Sequence, residues 1–351
     1  MPVSIVVGGQ FGSEGKGKVA HFFAKMNSDI RFVVRCGGPN SGHTVIDRHG
    51  RRRIFQQLPT ASILPNINLA ICSGSYIDLD ILFREIKETN LDRNRLFIDK
   101  DAVIITKDIK GREKDGGLIE KIGSTGSGTG AAVASRVNRE DKLCFAKDIN
   151  ELAPYLADVP KILRATLRNK ERVLIEGTQG FGLSPLHGRF FPYTTSRDTT
   201  AAAFLSETGL SPIDVDEVIL TIRAFPIRVA GNSGPLTNEI DWETLRKNAG
   251  SLTNIEEYTS VTKKVRRVAM FDPEIVRKAI RVNNPTVIVI NHLDYIAPDP
   301  HMAGFDRISN FIVNIEKVIG NPIDFVGFGP DKIMNSSIYE NSMEKGYDCI
   351  E

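Results

Sequence analysis

Six short runs of mostly β-branched and apolar residues, at 3–7, 31–34, 69–72, 172–175, 217–222 and 286–290, alternate along the chain with longer helix-forming stretches. Runs of that length bounded by Gly, Asn or Pro read as strands buried on both faces. The stretches at 16–26, 80–89, 158–167, 199–208, 272–281 and 306–319 read as helices between them. The alternation predicts an α/β fold around a mostly parallel sheet. No internal repeat, low-complexity tract or long Pro/Ser linker marks a boundary, so residues 1–351 are expected to form one large domain.

Composition narrows the class. Hydrophobic residues make up 41% and charged residues 25% of 351, as in ordinary folded proteins. Forty-five Lys and Arg against 43 Asp and Glu leave +2, too balanced for a protein that coats nucleic acid or an anionic membrane. No stretch approaches the roughly 20 apolar residues of a spanning helix, and MPVSIVVGGQ lacks the basic start and cleavage site of an export signal. A cytoplasmic protein is expected. Cys36, Cys72, Cys144 and Cys349 are scattered without a C-x-x-C pair, and read as reduced thiols rather than staples or zinc ligands.

Gly, Ser, Thr and Pro gather in five loops, at 8–17, 37–44, 123–130, 177–198 and 228–237. Small residues let backbone amides approach an anion, so five such loops predict one extended phosphate-rich site. The first, GGQFGSEGKGK, follows a strand and opens a helix, where phosphate binds. It resembles a P-loop without being one, because Gly9 and Gly15 have five residues between them and Gly17 stands where Ser or Thr would hold magnesium. A Gly-rich turn with no ligand is the plain alternative. Lys16, between two glycines, argues for phosphate. The second loop, RCGGPNSGHTV, sets Asn40 and His43 three residues apart among glycines. A lone loop His is ordinarily solvated, so this segment by itself leaves the role of His43 open. The third loop, GSTGSGTGAA, offers hydroxyls and amides, and the fourth offers Gln179, Thr194 and Thr195.

Taken together, GGQFGSEGKGK, GGPNSGHTV, GSTGSGTGAA, EGTQGFGLS, TTSRDTTA, RAFPIRV, VTKKVRRVAMFD, NHLD and GFGPD resemble the adenylosuccinate synthetase family, in order from Val6 to Pro330. The length resembles its shorter, archaeal-type branch. The resemblance implies that family's P-loop-NTPase-like fold and a carbon–nitrogen ligase, which joins aspartate to the purine 6-position through a 6-phosphoryl intermediate at the expense of a nucleoside triphosphate and magnesium. Position by position, it implies a 5′-phosphate pocket at Asn40, Thr125, Gln179 and Thr195, with Val229 beside the substrate and Arg139 reaching in from the partner of a homodimer. His43 matches the general acid and Lys16 the phosphate-loop lysine, with Ser13 and Gln179 completing the catalytic set. The triphosphate would meet Gly12, Glu14, Gly15, Lys16, Gly17, Gly42, His43 and Thr44, and its base would meet His292, Leu293, Asp294, Gly329 and Pro330. Magnesium would take the Gly42 carbonyl and position 13. Aspartate would bind Thr262, Lys264 and Arg266.

Three departures stand out. Ser13 replaces the aspartate that, in the family, removes the proton from purine nitrogen 1 and ligates magnesium, and a serine cannot do that unaided. Asp to Ser also opens room beside ring carbon 2, which bears an amino group in guanylate, and the hydroxyl can accept from that group. This resembles the viral branch of the family, which acts on 2′-deoxyguanylate. Lys264 replaces an Arg near the ribose hydroxyl and the aspartate, which fits a deoxyribose substrate, although a solvated Lys with no role fits as well. At the donor base, NHLD replaces T-K-L-D and Gly327 replaces a Ser, which favours ATP over GTP. The expected substrates are dGMP, L-aspartate and ATP. Two alternatives remain open at the level of sequence: an ordinary synthetase acting on inosinate with Glu14 or water as base, and a catalytically dead nucleotide-binding relative.

Overall fold

The computed structural model describes residues 2–259, 264–298 and 302–339. Its centre is a ten-stranded sheet whose spatial order is 332–335, 325–328, 287–291, 215–223, 3–8, 172–176, 30–35, 68–71, 96–99 and 156–157. Every adjacent pair is parallel except the last hairpin, 325–328 with 332–335. The expected α/β architecture is therefore present, and all six sequence-predicted strands lie in this sheet.

Helices cover both faces, which is why the strands read as continuous apolar runs rather than alternating ones. On the central strand Val3–Gly8, Val3, Ile5 and Val7 enter one buried cluster and Val6 enters the other. The six predicted helices also form; the first matches at Lys16–Met26, the last starts earlier, at Met302, and the other four begin just after a capping side chain. Asp78, Asp158, Thr200 and Asp272 accept backbone N–H groups of the first turns and so stand just outside Leu79–Thr89, Val159–Arg168, Ala201–Thr208 and Pro273–Asn283. No helix among the described residues is long and apolar enough to cross a membrane.

Parallel order has one consequence for function. The loops after 3–8, 30–35, 172–176, 215–223, 287–291 and 325–328 all leave the same edge of the sheet, the carboxyl ends of the strands, where ligands of open α/β sheets bind. Residues far apart in sequence, such as Ser13, Asn40, Gln179 and His292, thereby share one edge. Four short strands complete the frame there: 43–46 pairs with 52–55, and 227–228 belongs to a small sheet with 267–269.

Candidate active site

The turn between Val3–Gly8 and the helix Lys16–Met26 is left-handed at Gly12, Ser13 and Gly15, with φ of 90°, 60° and 90°. Ser13 holds this conformation without being glycine, a strain of the kind found at functional sites. Inside the turn lies fully buried Glu14. Its Oε1 accepts from the amides of Gln10 at 3.0 Å and Gly12 at 2.8 Å, and its Oε2 pairs with Lys16 Nζ at 2.7 Å. The expected phosphate-loop cation is thus held by an internal anion, and Glu14 organises the loop from below.

His43 opens the hairpin strand His43–Ile46 and lies against the start of the first helix. Its Nδ1 meets Glu176 Oε1 at 2.6 Å and also contacts the Arg35 guanidinium, which in turn donates to Glu176 at 2.7 Å. Glu176 Oε2 accepts from the Thr60 amide at 2.9 Å and hydroxyl at 2.8 Å, so every oxygen of this buried carboxylate is engaged. Burial, then the Arg35 charge, push His43 down to about 3, against the pull of Glu176. Burial alone would raise Glu176, but the His43 hydrogen bond and the Arg35 charge bring it down to about 2. The imidazole is therefore neutral, with Nδ1–H directed at Glu176 and a buried Nε2 that has no partner among the described residues. That orphan nitrogen is the feature a reacting group would meet.

The remaining loops form a ring of contacts. A Cβ on Gly38 would stand 2.8 Å from Thr129, the residue opening the helix Thr129–Val137 after the Thr125 loop, and one on Gly37 would stand 2.8 Å from Thr178. Asn232 donates to Lys121 O at 2.9 Å, Ser233 to Val229 O at 2.5 Å and Arg228 to Tyr193 O at 2.8 Å. Asn40, Thr125, Gln179, Thr194, Thr195 and Val229 therefore sit on loops that brace one another, and Gln179, like Ser13, has a positive φ of 59°. Arg139 is different. It is exposed just past the far end of the Thr129–Val137 helix, whose nine residues span about 13 Å at 1.5 Å per residue.

A third group joins Ser13 to the segments at 257–267 and 292–295. Arg266 contacts the Ser13 hydroxyl, and fully buried Arg223 donates to the Ser13 carbonyl at 3.0 Å and pairs with Glu257. Arg223 offsets the burial of Glu257 and holds its carboxyl well below the usual range. Lys264 is exposed, and Thr262 lies outside the described residues.

At the other end of the loop, Asp294 Oδ1 accepts from the Gly329 amide at 3.0 Å, and Lys18 Nζ donates to Gly329 O at 3.1 Å. Burial brings Lys18 down to about 8, against Asp294 and Asp331. His292 adopts a left-handed φ of 63° beside Tyr295, and Pro330 is exposed next to Gly329. Sequence reasoning missed Arg35, Glu176, Thr60, Arg223 and Glu257. A signal existed for three of them, since Arg35, Glu176 and Arg223 each end the buried run of a strand with a charge.

Comparison with known proteins decides the family. The sequence profile of the adenylosuccinate synthetase family matches residues 5–146 and 144–301. The chain belongs to that family. It is 39% identical over 341 residues to the adenylosuccinate synthetase of Thermococcus onnurineus and 37% identical to that of Methanococcus aeolicus. Each alignment covers 94% of this chain, and 97% and 98% of those enzymes. Among solved structures, the succinoaminodeoxyadenylate synthetase of cyanophage S-2L, bound to dGMP and dATP as an energy donor, superposes with a TM-score of 0.82 at 26% identity, covering 99% of both chains. The fully ligated adenylosuccinate synthetase of Plasmodium falciparum shares the fold, with a TM-score of 0.82 at 20% identity over 96% of this chain and all of that one. The protein is thus a nucleotide-using carbon–nitrogen ligase of purine biosynthesis.

Proposed function

We propose that this ligase condenses L-aspartate with the 6-position of dGMP, hydrolysing ATP to ADP and phosphate and releasing N6-succino-2-amino-2′-deoxyadenylate. The observation that carries the reading is Ser13: a short, neutral hydroxyl at the mouth of the site where the family has a carboxylate. Guanine presents its 2-amino group at that point, and the Ser13 oxygen, touched on one side by Arg266, retains lone-pair capacity to accept from it. The bound ligands of the cyanophage relative support the same choice.

In this reading Asn40, Thr125, Gln179 and Thr195 hold the 5′-phosphate with neutral donors. A guanidinium completes the set, and Arg139 supplies it from a second copy of the chain, since in its own chain it stands at the wrong end of its helix. Val229 flanks the nucleoside. Lys16 leaves Glu14 for the transferring phosphoryl, and His43 faces the purine 6-oxygen with Nε2. The proton lost from ring nitrogen 1 as the 6-oxygen attacks the terminal phosphoryl passes to Nε2, Glu176 on Nδ1 stabilises the imidazolium, and His43 then serves as general acid, returning that proton to the 6-oxygen as phosphate leaves. The aspartate amine then attacks ring carbon 6, the bond from that carbon to the phosphorylated oxygen breaks, phosphate leaves and the amine gives up a proton to solvent, with Thr262, Lys264 and Arg266 holding the aspartate carboxylates.

The donor base would lie over His292, Leu293, Asp294, Gly329 and Pro330. Because Asp294 Oδ1 already accepts from Gly329, the carboxylate's other oxygen suits the single amino group of adenine, which supports ATP. Magnesium would be held by the Gly42 carbonyl and, where Arg266 gives up its hydrogen bond, more weakly by the Ser13 hydroxyl. These are hard oxygen donors of the right type, although without a carboxylate most of the balancing charge comes from the phosphates. When bound, the ion neutralises charge on the triphosphate.

The deciding experiment is kcat/KM for dGMP, GMP and IMP on the wild type and on Ser13→Asp. A site built to hydrogen-bond the 2-amino group rejects the analogue lacking it by as much as ~10⁴-fold, and Ser13→Asp should impair dGMP. The higher identity to archaeal synthetases supports a second reading, ordinary adenylosuccinate synthesis. Preference of the wild type for IMP would establish it and overturn the first.

A further inference from the structure

Cys36 and Cys72 are separated in sequence but adjacent in space. The register of two neighbouring parallel strands runs from Phe32 opposite Asn68 to Arg35 opposite Ile71, and the two cysteines are the next pair. Both side chains are fully buried, with Sγ atoms 3.9 Å apart. Glu207, on the helix Ala201–Thr208, comes to the same point: the two sulfurs and one of its oxygens all lie within 4.8 Å of one another. Its Oε1 pairs with Arg197 at 3.1 Å, whereas Oε2 is buried without a partner among the described residues. Ser75 Oγ lies 3.4 Å from Cys72 Sγ.

We infer that Cys36, Cys72 and Glu207, with the Ser75 hydroxyl beside them, form a binding site for a thiophilic divalent cation of the zinc type, separate from the nucleotide site. Tetrahedral zinc with Zn–S bonds of about 2.3 Å sets its two sulfurs about 3.8 Å apart, so the observed spacing requires almost no movement. The donor set selects the ion: paired sulfurs favour zinc or cadmium and disfavour magnesium, which takes oxygen. Charge also balances. On binding, each thiol gives its proton to solvent, and two thiolates, the Glu207 carboxylate, the Arg197 guanidinium and a divalent ion sum to zero, leaving no uncompensated buried charge.

The position gives the site a purpose. Cys36 immediately precedes the Gly37–Asn40 segment, and Arg197, from the loop carrying Thr195, donates to Gly74 O at 2.7 Å. A cation held here ties together the loops that bear Asn40 and Thr195, so its role is to fix the site's frame rather than to take part in chemistry.

The test uses the full chain carrying Cys144→Ser and Cys349→Ser, stripped with chelator and free of nucleotide, titrated with cadmium and with zinc. The expected result is an ultraviolet thiolate-to-cadmium band that saturates at one ion per chain, is untouched by excess magnesium, and is accompanied by a higher melting temperature. Cys36→Ser and Cys72→Ser should each abolish it, and Glu207→Gln should keep a band while weakening affinity by about tenfold or more. Should either cysteine variant fail to fold, protection of Cys36 and Cys72 from a thiol reagent by zinc in the parent chain, mapped by peptide mass, reads the same site. Absence of the band at stoichiometric cadmium, a band that survives loss of either cysteine, or equal labelling with and without zinc overturns the proposal. So does an oxidised disulfide form combined with no metal uptake.

Discussion

A Cβ placed on Gly17 would stand 2.6 Å from the Cβ of His43 and 2.9 Å from the Thr60 methyl. This contact explains why the first loop departs from a P-loop: the position that would carry a magnesium-binding hydroxyl is occupied from outside by the histidine proposed to act on the substrate. Gly17→Ser should therefore displace His43. Overpacking of this kind costs about 1–3 kcal/mol, and turnover should fall much further than stability. Circular dichroism melts and steady-state kinetics would check it, and a Gly17→Ser enzyme with wild-type kcat would show that His43 tolerates the shift or plays no part.

Asn291 and Gly327 form a second interlocked pair. They follow the paired residues Ile290 and Val326 on adjacent parallel strands, and a Cβ at 327 would lie 1.9 Å from Asn291 Oδ1. The larger residue at 291 and the missing side chain at 327 are thus one change, not two. Gly327→Ser alone should destabilise the protein and raise KM for ATP. The double variant Asn291→Thr with Gly327→Ser should recover both, with a coupling of roughly 0.5–3 kcal/mol. Strict additivity of the two single variants would refute the interlock.

The same pair shows what was legible from sequence. NHLD and GFGPD were readable as two departures, but their compensation depends on register, which no spacing reveals. Likewise the strands at 3–7 and 172–175 were evident from composition because both faces are buried, whereas Leu96–Asp99, which ends in a charge, and Phe325–Phe328, which is interrupted by Gly327, lack a continuous β-branched run. His43 was visible as a residue. The buried Arg35–Glu176 pair that fixes its tautomer was not, because its members are 141 positions apart and meet only across the sheet.

That buried triad makes stability depend on pH in a definite direction. His43 titrates near 6.5 when unfolded and near 3 when folded, and Glu176 falls from 4.5 to about 2. Below each unfolded value the unfolded chain binds a proton that the folded chain refuses, so stability is present near neutrality and drains away as pH falls from about 6.5 toward 2. Melting temperature should decline over that window in the unliganded enzyme. Glu176→Gln leaves the Arg35 charge buried and unpaired, which should cost about 3–5 kcal/mol at pH 7. It should also make the acid decline shallower. A melting temperature flat from pH 7 to pH 4 would contradict the assigned protonation states.

Arg139 supplies the remaining prediction, because its own chain holds it away from the loops it is proposed to serve. In a homodimer with shared sites, each centre takes His43 from one chain and Arg139 from the other. Arg139→Leu and His43→Ala homodimers should each be nearly inactive, the first through weak substrate binding and the second through turnover lowered by about 10²–10⁴-fold. Mixing them lets subunits exchange. Half of the dimers are then hybrids, and in each hybrid the centre built on the Arg139→Leu chain has its own wild-type His43 and the partner's wild-type Arg139. About a quarter of all centres become whole, since the hybrid's second centre lacks both residues. Recovery approaching that fraction, measured after exchange has been verified with labelled subunits, supports the shared site. No recovery in an exchanging mixture places Arg139 outside it and leaves the 5′-phosphate to the neutral donors alone.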